Sequence, residues 1–314
     1  MQRRFQTATV VAVVAALGLL ASGCGYYDML QGRQAVKEAY TFYQQQDYKR
    51  AVAQFEEAIA LNPDEKAAFF YLANSYDNLY KPSRKGEAEN DGYLTKAVEY
   101  YRKSADVDPD TKMRKLALEY LVNAYGADRL DDPSQAEPLV KRMIELEPKE
   151  PTNYYVLARM YEDSGQFELA EQTLQSALQA RPNDSGVLVQ LASYYNRLGD
   201  FPRTMDYLKQ RAQIEPNNPE AYYILATYYW DKQLKDAMLP KAEKVSMVKL
   251  GLEAVDKALQ LNAEYADAFV YKGLLLRSQA LLETDPARQQ ALVTEANALR
   301  DKGQELKKKK AAGQ

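Results

Sequence analysis

The sequence predicts an all-α protein: an α-solenoid of about six to seven helix-turn-helix repeats closed by a C-terminal capping helix. Three observations carry this prediction. Pro148, Pro182 and Pro216 recur at intervals of 34 residues, each ending a two-helix pattern. Between these prolines, large apolar residues and small residues return at fixed places with helical spacing. No stretch shows the sustained period-two alternation, bounded by turn residues, that a strand requires.

Composition narrows the chemistry. The 314 residues contain no histidine, which removes the commonest general base and the commonest metal ligand. Cys24 is the only cysteine, so neither an intrachain disulfide nor a cysteine-based zinc site can form. Lysine and arginine number 41 against 44 acidic residues, which implies no basic surface for nucleic acid. Tyrosine is in excess, with 25 residues against the single Trp230.

The N-terminus has the order of a secretory leader. Arg3 and Arg4 precede an apolar run from Ala8 to Leu20, followed by Ala21, Ser22 and Gly23. The run is too short for a comfortable membrane span. Residues 20–24 resemble a lipobox, with Ala21 where leucine is usual. The resemblance implies cleavage before Cys24, diacylation of that cysteine and membrane attachment through its acyl chains. Gly25 lacks the aspartate that marks inner-membrane retention in enteric bacteria, so the expected location is the periplasmic face of an outer membrane. In a single-membrane organism it is the plasma-membrane surface. The expected organisation is a signal peptide at 1–23, a lipidated tether at 24–31, a repeat array at 32–282, a capping helix at 283–306 and a disordered basic tail at 307–314.

The repeats follow in order. The first supplies Ala35, Ala39, Phe42, Ala51, Phe55, Ala58 and Pro63; the second opens with Phe69, Leu72, Ala73 and Tyr76. After an insertion of about 12 residues the second resumes with Ala97, Tyr101, Ser104 and Pro109. The third is the poorest match, with Leu121, Tyr125, Ala136, Val140 and Pro148, and Pro138 sits early in its second helix. The fourth has Tyr154, Leu157, Ala158, Tyr161, Ala170, Leu174, Ala177 and Pro182; the fifth has Leu188, Leu191, Ala192, Tyr195, Thr204, Leu208, Arg211 and Pro216. The sixth opens with Tyr222, Leu225, Ala226 and Tyr229, accepts about 13 extra residues, and resumes with Gly251, Val255 and Ala258. A degenerate seventh begins at Phe269 and Gly273. Both insertions, near Lys81–Tyr93 and Asp231–Val248, should separate the first from the second helix of a repeat. Alanine or glycine at the small positions lets paired helices approach, and leucine, tyrosine and phenylalanine fill the seam. Tyr76, Tyr125, Tyr161, Tyr195 and Tyr229 share one repeat position and are expected in the core.

On these residues the chain, from about Gly32 to Leu282, resembles tetratricopeptide (TPR) repeat proteins. The resemblance implies a right-handed superhelix that binds protein or peptide partners and catalyses nothing. It also implies that repeat positions five, nine and twelve face a concave groove. Here these are Phe70, Asn74 and Asp77; Tyr155, Arg159 and Glu162; Val189, Ser193 and Asn196; and Tyr223, Thr227 and Trp230. Tyr155, Arg159, Tyr223 and Trp230 are the expected anchors, since aromatic and arginine side chains dominate interface energetics. The carboxylate clamp that some TPR proteins use for chaperone tails is not matched, because Gln190, Glu220 and Ile224 occupy its places.

Other motifs are incidental. Asp106, Asp108 and Asp110 mimic a calcium loop, but Thr111 replaces its glycine and Ala117 its final glutamate. Ser246 and Lys249 match a serine-hydrolase spacing without the companion elements. The combination of lipobox and repeats resembles envelope assembly factors of the pilotin class. An adaptor for cell-wall enzymes and a glycan-capturing lipoprotein are the alternatives, and no cofactor is expected.

Overall fold

A computed structural model describes residues 30–312. The leader, Cys24 and most of the tether lie outside the described residues. Those residues form fourteen helices and no strand, as an α-solenoid requires. They are α1 (30–44), α2 (Tyr48–Leu61), α3 (Ala68–Leu79), α4 (Ala88–Val107), α5 (Thr111–Ala124), α6 (Pro133–Leu146) and α7 (Pro151–Asp163). The order continues with α8 (Phe167–Ala180), α9 (Ser185–Arg197), α10 (Phe201–Ile214), α11 (Pro219–Lys235), α12 (Lys241–Leu261), α13 (Ala266–Leu282) and α14 (Pro286–Ala311). None of the described helices is long and apolar enough to cross a membrane.

Local chemistry explains the alternation. The turn inside a pair needs one residue of positive φ, supplied by Gln46 (60°), Gly165 (74°) and Gly199 (77°). Asp47 and Asp200 follow two of these turns and cap the next helix, accepting from the backbone N–H of Arg50 and Arg203. Asp110, Asp184, Asn218 and Asp285 cap α5, α9, α11 and α14 in the same way. Both insertions fall between the first and second helix of a pair. The first forms the α3–α4 connection, with a 3-10 turn at Pro82–Arg84, and lengthens α4; the second lengthens α11 and α12.

The chain divides into two compact units, the first ending at Met160 and the second beginning at Tyr161. In the first, Phe55, Leu72, Tyr101, Leu118 and Leu121 are wholly buried among Ala39, Ala51, Ala73, Ala97 and Ala117. Pro138 sits inside α6, which continues through it to Leu146. In the second, Leu208, Leu225, Val255 and Leu275 pack with Ala226, Ala254 and Ala258. The five tyrosines expected in the core are all buried. Arg211, at a place usually held by a small residue, is also buried; its guanidinium pairs with Glu215 at 3.1 Å and Glu220 at 3.5 Å.

The C-terminus departs from expectation. Lys307–Lys310, expected in a disordered tail, continue α14, which ends at Ala311 and not near residue 306. Lys307 pairs with Asp267 at 2.6 Å and Lys309 with Glu305 at 2.7 Å. Cations in a last turn also complement the partial negative charge of a helix C-terminus.

Candidate functional site

In the first unit, α1, α3 and α5 are the opening helices of successive pairs, and their residues at the expected groove positions divide into two groups. Phe70 is buried against Tyr71, Tyr101 and Tyr120, with ring centroids 5.5, 5.6 and 5.7 Å away, so it belongs to the core and not to a groove lining. Asn74 is likewise buried. Its Oδ1 accepts from Tyr43 Oη at 2.8 Å and from Asn78 Nδ2 at 2.9 Å, while its Nδ2 donates to Tyr101 Oη at 3.0 Å. Asp77 forms an ion pair with Arg129 and accepts from Tyr101 Oη at 3.4 Å. Phe70 and Asn74 therefore support the face from behind, and a partner cannot reach them without displacing core.

The half-buried residues of that face are Tyr40, Tyr43, Tyr71 and Tyr120. Tyr71 meets Tyr40 edge-on at 4.8 Å and Tyr43 at 5.3 Å. Burial pushes the phenols of Tyr40 and Tyr43 up to about 12, so both remain hydrogen-bond donors well above neutral pH. Tyr40 and Tyr43 stand at positions nine and twelve of the first repeat; extending the groove count to that repeat finds them. In the same unit Tyr155 is half-buried and Arg159 exposed.

In the second unit two expected anchors converge. Tyr223 and Trp230, two turns apart on α11, both meet Tyr271 of α13 edge-on, at 5.3 and 5.6 Å; Tyr265 closes the cluster 5.1 Å from Tyr223. All four rings are half-buried, a common state for aromatic interface anchors. Burial raises the Tyr223 phenol most, and Tyr271, Asp267 and Tyr265 add to the shift. Thr227 lies between the anchors in sequence, but its hydroxyl donates back to the Ile224 carbonyl at 2.8 Å. Glu162 is held by both guanidinium arms of Arg197, at 2.9 and 2.7 Å. Val189 and Ser193 are partly buried on α9. Asn196 is exposed and lines a cleft of about 500 Å³ with Gly199, Phe201, Tyr228 and the α11 end, including Asp231 and Lys232. The corresponding place in the first unit, between the α1–α2 turn and the first insertion, holds a cleft of about 850 Å³ lined by Gln46, Tyr48, Asn78, Lys81, Arg84 and Tyr93.

The incidental motifs resolve as helix surface and turn. Asp106 pairs with Arg142 at 2.6 Å, while Asp108 and Asp110 accept backbone N–H groups at the start of α5. Ser246 and Lys249 are exposed on α12, and Lys249 faces Glu253 at 3.9 Å. Among the described residues, no three acidic or cysteine side chains are grouped so as to hold a metal ion.

Two tetratricopeptide-repeat family models match the chain, one over residues 36–111 and one over 129–191. The solved C-terminal part of a TPR repeat-containing protein from Cytophaga hutchinsonii is 15% identical, with a TM-score of 0.54; the match covers 84% of this chain and 95% of that one. A crystal structure of MamA is 18% identical with a TM-score of 0.42, covering 66% of this chain and 99% of that one. A tetratricopeptide repeat protein from Parabacteroides merdae is 13% identical with a TM-score of 0.43, covering 85% and 99%. No curated protein matches the sequence. TPR domains bind protein or peptide partners and their scaffolds are typically non-catalytic. The chain thus carries tetratricopeptide repeats at 36–111 and 129–191 within an all-helical α-solenoid fold.

Proposed function

We propose that this protein is a lipid-anchored component of the bacterial envelope that acts as an interaction scaffold or assembly factor. In this reading the leader is removed, Cys24 is acylated, and the repeats stand on the periplasmic side of the outer membrane. The partner is a protein segment that docks on the aromatic face of α11 and α13. One observation carries the docking half: Tyr223 and Trp230 meet on Tyr271, which gives a half-exposed aromatic surface built on the opening helices of two successive pairs. Rigid aromatic anchors supply contact area at small entropic cost, which makes such clusters interface hot spots. The lipobox resemblance supports the anchoring half.

The test is crosslinking in the native envelope followed by mass spectrometry, with wild type beside Tyr223→Ala and Tyr271→Ala. Loss of one protein crosslink in both variants, with about 1–3 kcal/mol weaker binding of that protein when purified, is expected for hot-spot truncation. Trp230 emission should change as the partner saturates the site. Unaltered affinity in both variants, with unchanged Trp230 emission, would place docking elsewhere. Separately, Cys24→Ser should release a folded protein from the membrane fraction; a mature Cys24 without lipid mass sinks the anchoring half alone.

A further inference from the structure

The antiparallel order of α11, α12 and α13 brings the end of α11, the α11–α12 loop, the start of α12 and the end of α13 to one end of the second unit. Gln233 Nε2 donates to Ser278 Oγ at 2.8 Å, a buried tie that holds the α11 and α13 termini together. From this end project Met238 (90% exposed), Leu281 (85%), Leu234 (56%) and Val245 (48%), the four most exposed large apolar side chains among the described residues. A small cleft of about 310 Å³ lined by Val248, Leu252 and Leu282 lies beside Val245. A soluble surface carries single exposed apolar residues everywhere, but four together on three adjoining helices and the loop between two of them mark a contact surface.

Charge selects what the surface meets. The chain as a whole is acidic, with a formal net charge of −3, yet Asp231–Lys249 carries five lysines against three acids. Lys232 and Lys235 are closed onto Asp236 and Asp231 of the same segment, at 2.9 and 2.5 Å. Lys241 and Lys244, which flank the apolar tip, close no ion pair among the described residues; Arg288, at the start of α14, reaches Glu283 only at 3.9 Å. Side chains projecting from a loop and helix ends suit a soft interface better than a rigid helical partner, which needs a groove. Apolar tips entering the acyl boundary with lysines at phosphate depth are the signature of interfacial binding to anionic lipid. We infer that the α11–α12 tip, with Met238 at its apex and Leu234, Val245 and Leu281 around it, is a contact surface for an anionic lipid bilayer. The contact orients the second unit on a membrane, whatever holds the N-terminus there.

A local reporter tests this. Because Cys24 is the only cysteine, full-length chain carrying Cys24→Ser and Met238→Cys takes one environment-sensitive dye at the tip. A second version carries the dye through Ala263→Cys, in the α12–α13 turn at the opposite end of the unit. With vesicles of equal parts phosphatidylcholine and phosphatidylglycerol, the dye at 238 is expected to shift to the blue and be quenched by lipid-borne nitroxide, while the dye at 263 is not. Adding Leu234→Asp and Leu281→Asp should reduce the shifted fraction on the order of tenfold, as charging an interfacial apolar face does. Both side chains are exposed, so helicity by circular dichroism should not change. Identical spectra at 238 and 263 on these vesicles would overturn the inference. A blue shift at 238 that grows with protein concentration in the absence of vesicles would overturn it in favour of a second copy of the chain. The reporter reads the second unit alone, so neither result depends on acylation of Cys24 or on the aromatic docking face.

Discussion

Gly303 of α14 lies against the Ala266 carbonyl oxygen at the start of α13, so close that a Cβ on residue 303 would stand 2.8 Å from that oxygen and from Val270 Cγ2. Farther along the same helix pair, a Cβ on Gly273 would meet the Ala296 carbonyl at 2.8 Å. Two glycines, one on each helix, thus set the separation at which α14 covers the end of the array. Because the obstacle is backbone, the helices themselves would have to move apart. Gly303→Ala is expected to cost about 1–3 kcal/mol, as overpacking does, although alanine is the better helix former. Gly92→Ala in α4, with nothing within 4 Å of the new methyl, should stabilise by about 0.5–1 kcal/mol. Urea denaturation of the two variants checks the opposite signs.

The turns within pairs make a second contrast. Gln46 and Gly199 occupy the same place, each with positive φ and each followed by a capping aspartate. Gln46→Gly removes a strained side-chain conformation, while Gly199→Ala introduces one. Each change is expected to move stability by about 1 kcal/mol, upward for the first and downward for the second. Thermal unfolding midpoints should move accordingly.

The Asp77–Arg129 pair is largely shielded from solvent, and Asp77 also accepts from Tyr101. Removing only the cation strands a carboxylate beside the tyrosine cluster. Arg129→Met should cost about 3 kcal/mol, the scale of a broken buried pair, and the double change Asp77→Asn with Arg129→Met should recover most of it. Equal losses in the single and double variants, read by equilibrium denaturation, would show that the pair is screened like an ordinary surface bridge.

Alkaline titration reads the tyrosine packing directly. Tyr40, Tyr43 and Tyr195 have phenols held at about 12, chiefly by burial, above the ordinary value of 10.0; the bond from Tyr195 to Glu171 adds to its shift. Between these limits the unfolded chain releases protons that the folded chain retains. Folding stability is therefore expected to be intact below about pH 10 and to fall as pH rises toward about 12. Denaturant midpoints measured across that window should decline, with phenolate absorbance lagging behind that of free tyrosine. A flat profile would mean that these phenols are solvated.

The sequence by itself determined the helices, their pairing and the places where they touch closely. Those facts rest on periodicity along one helix, so Tyr76, Tyr195 and Tyr229 read as core from their spacing alone, and Gly251 read as a close-approach site. There a Cβ would indeed stand 2.7 Å from Leu275 Cδ2. Only the tertiary structure decided which groove positions remain open. Phe70 and Tyr223 hold the same repeat position, yet Phe70 is covered by Tyr71, Tyr101 and Tyr120 whereas Tyr223 stays half-exposed beside Tyr265 and Tyr271. Beyond its neighbour Tyr71, the cover of Phe70 comes from Tyr101 and Tyr120 on α4 and α5, whose volumes carry no periodic trace in the helix they bury. The same holds for Gly303 and Ala266: each is unremarkable within its own helix, and the distance between them is a property of two helices packed together.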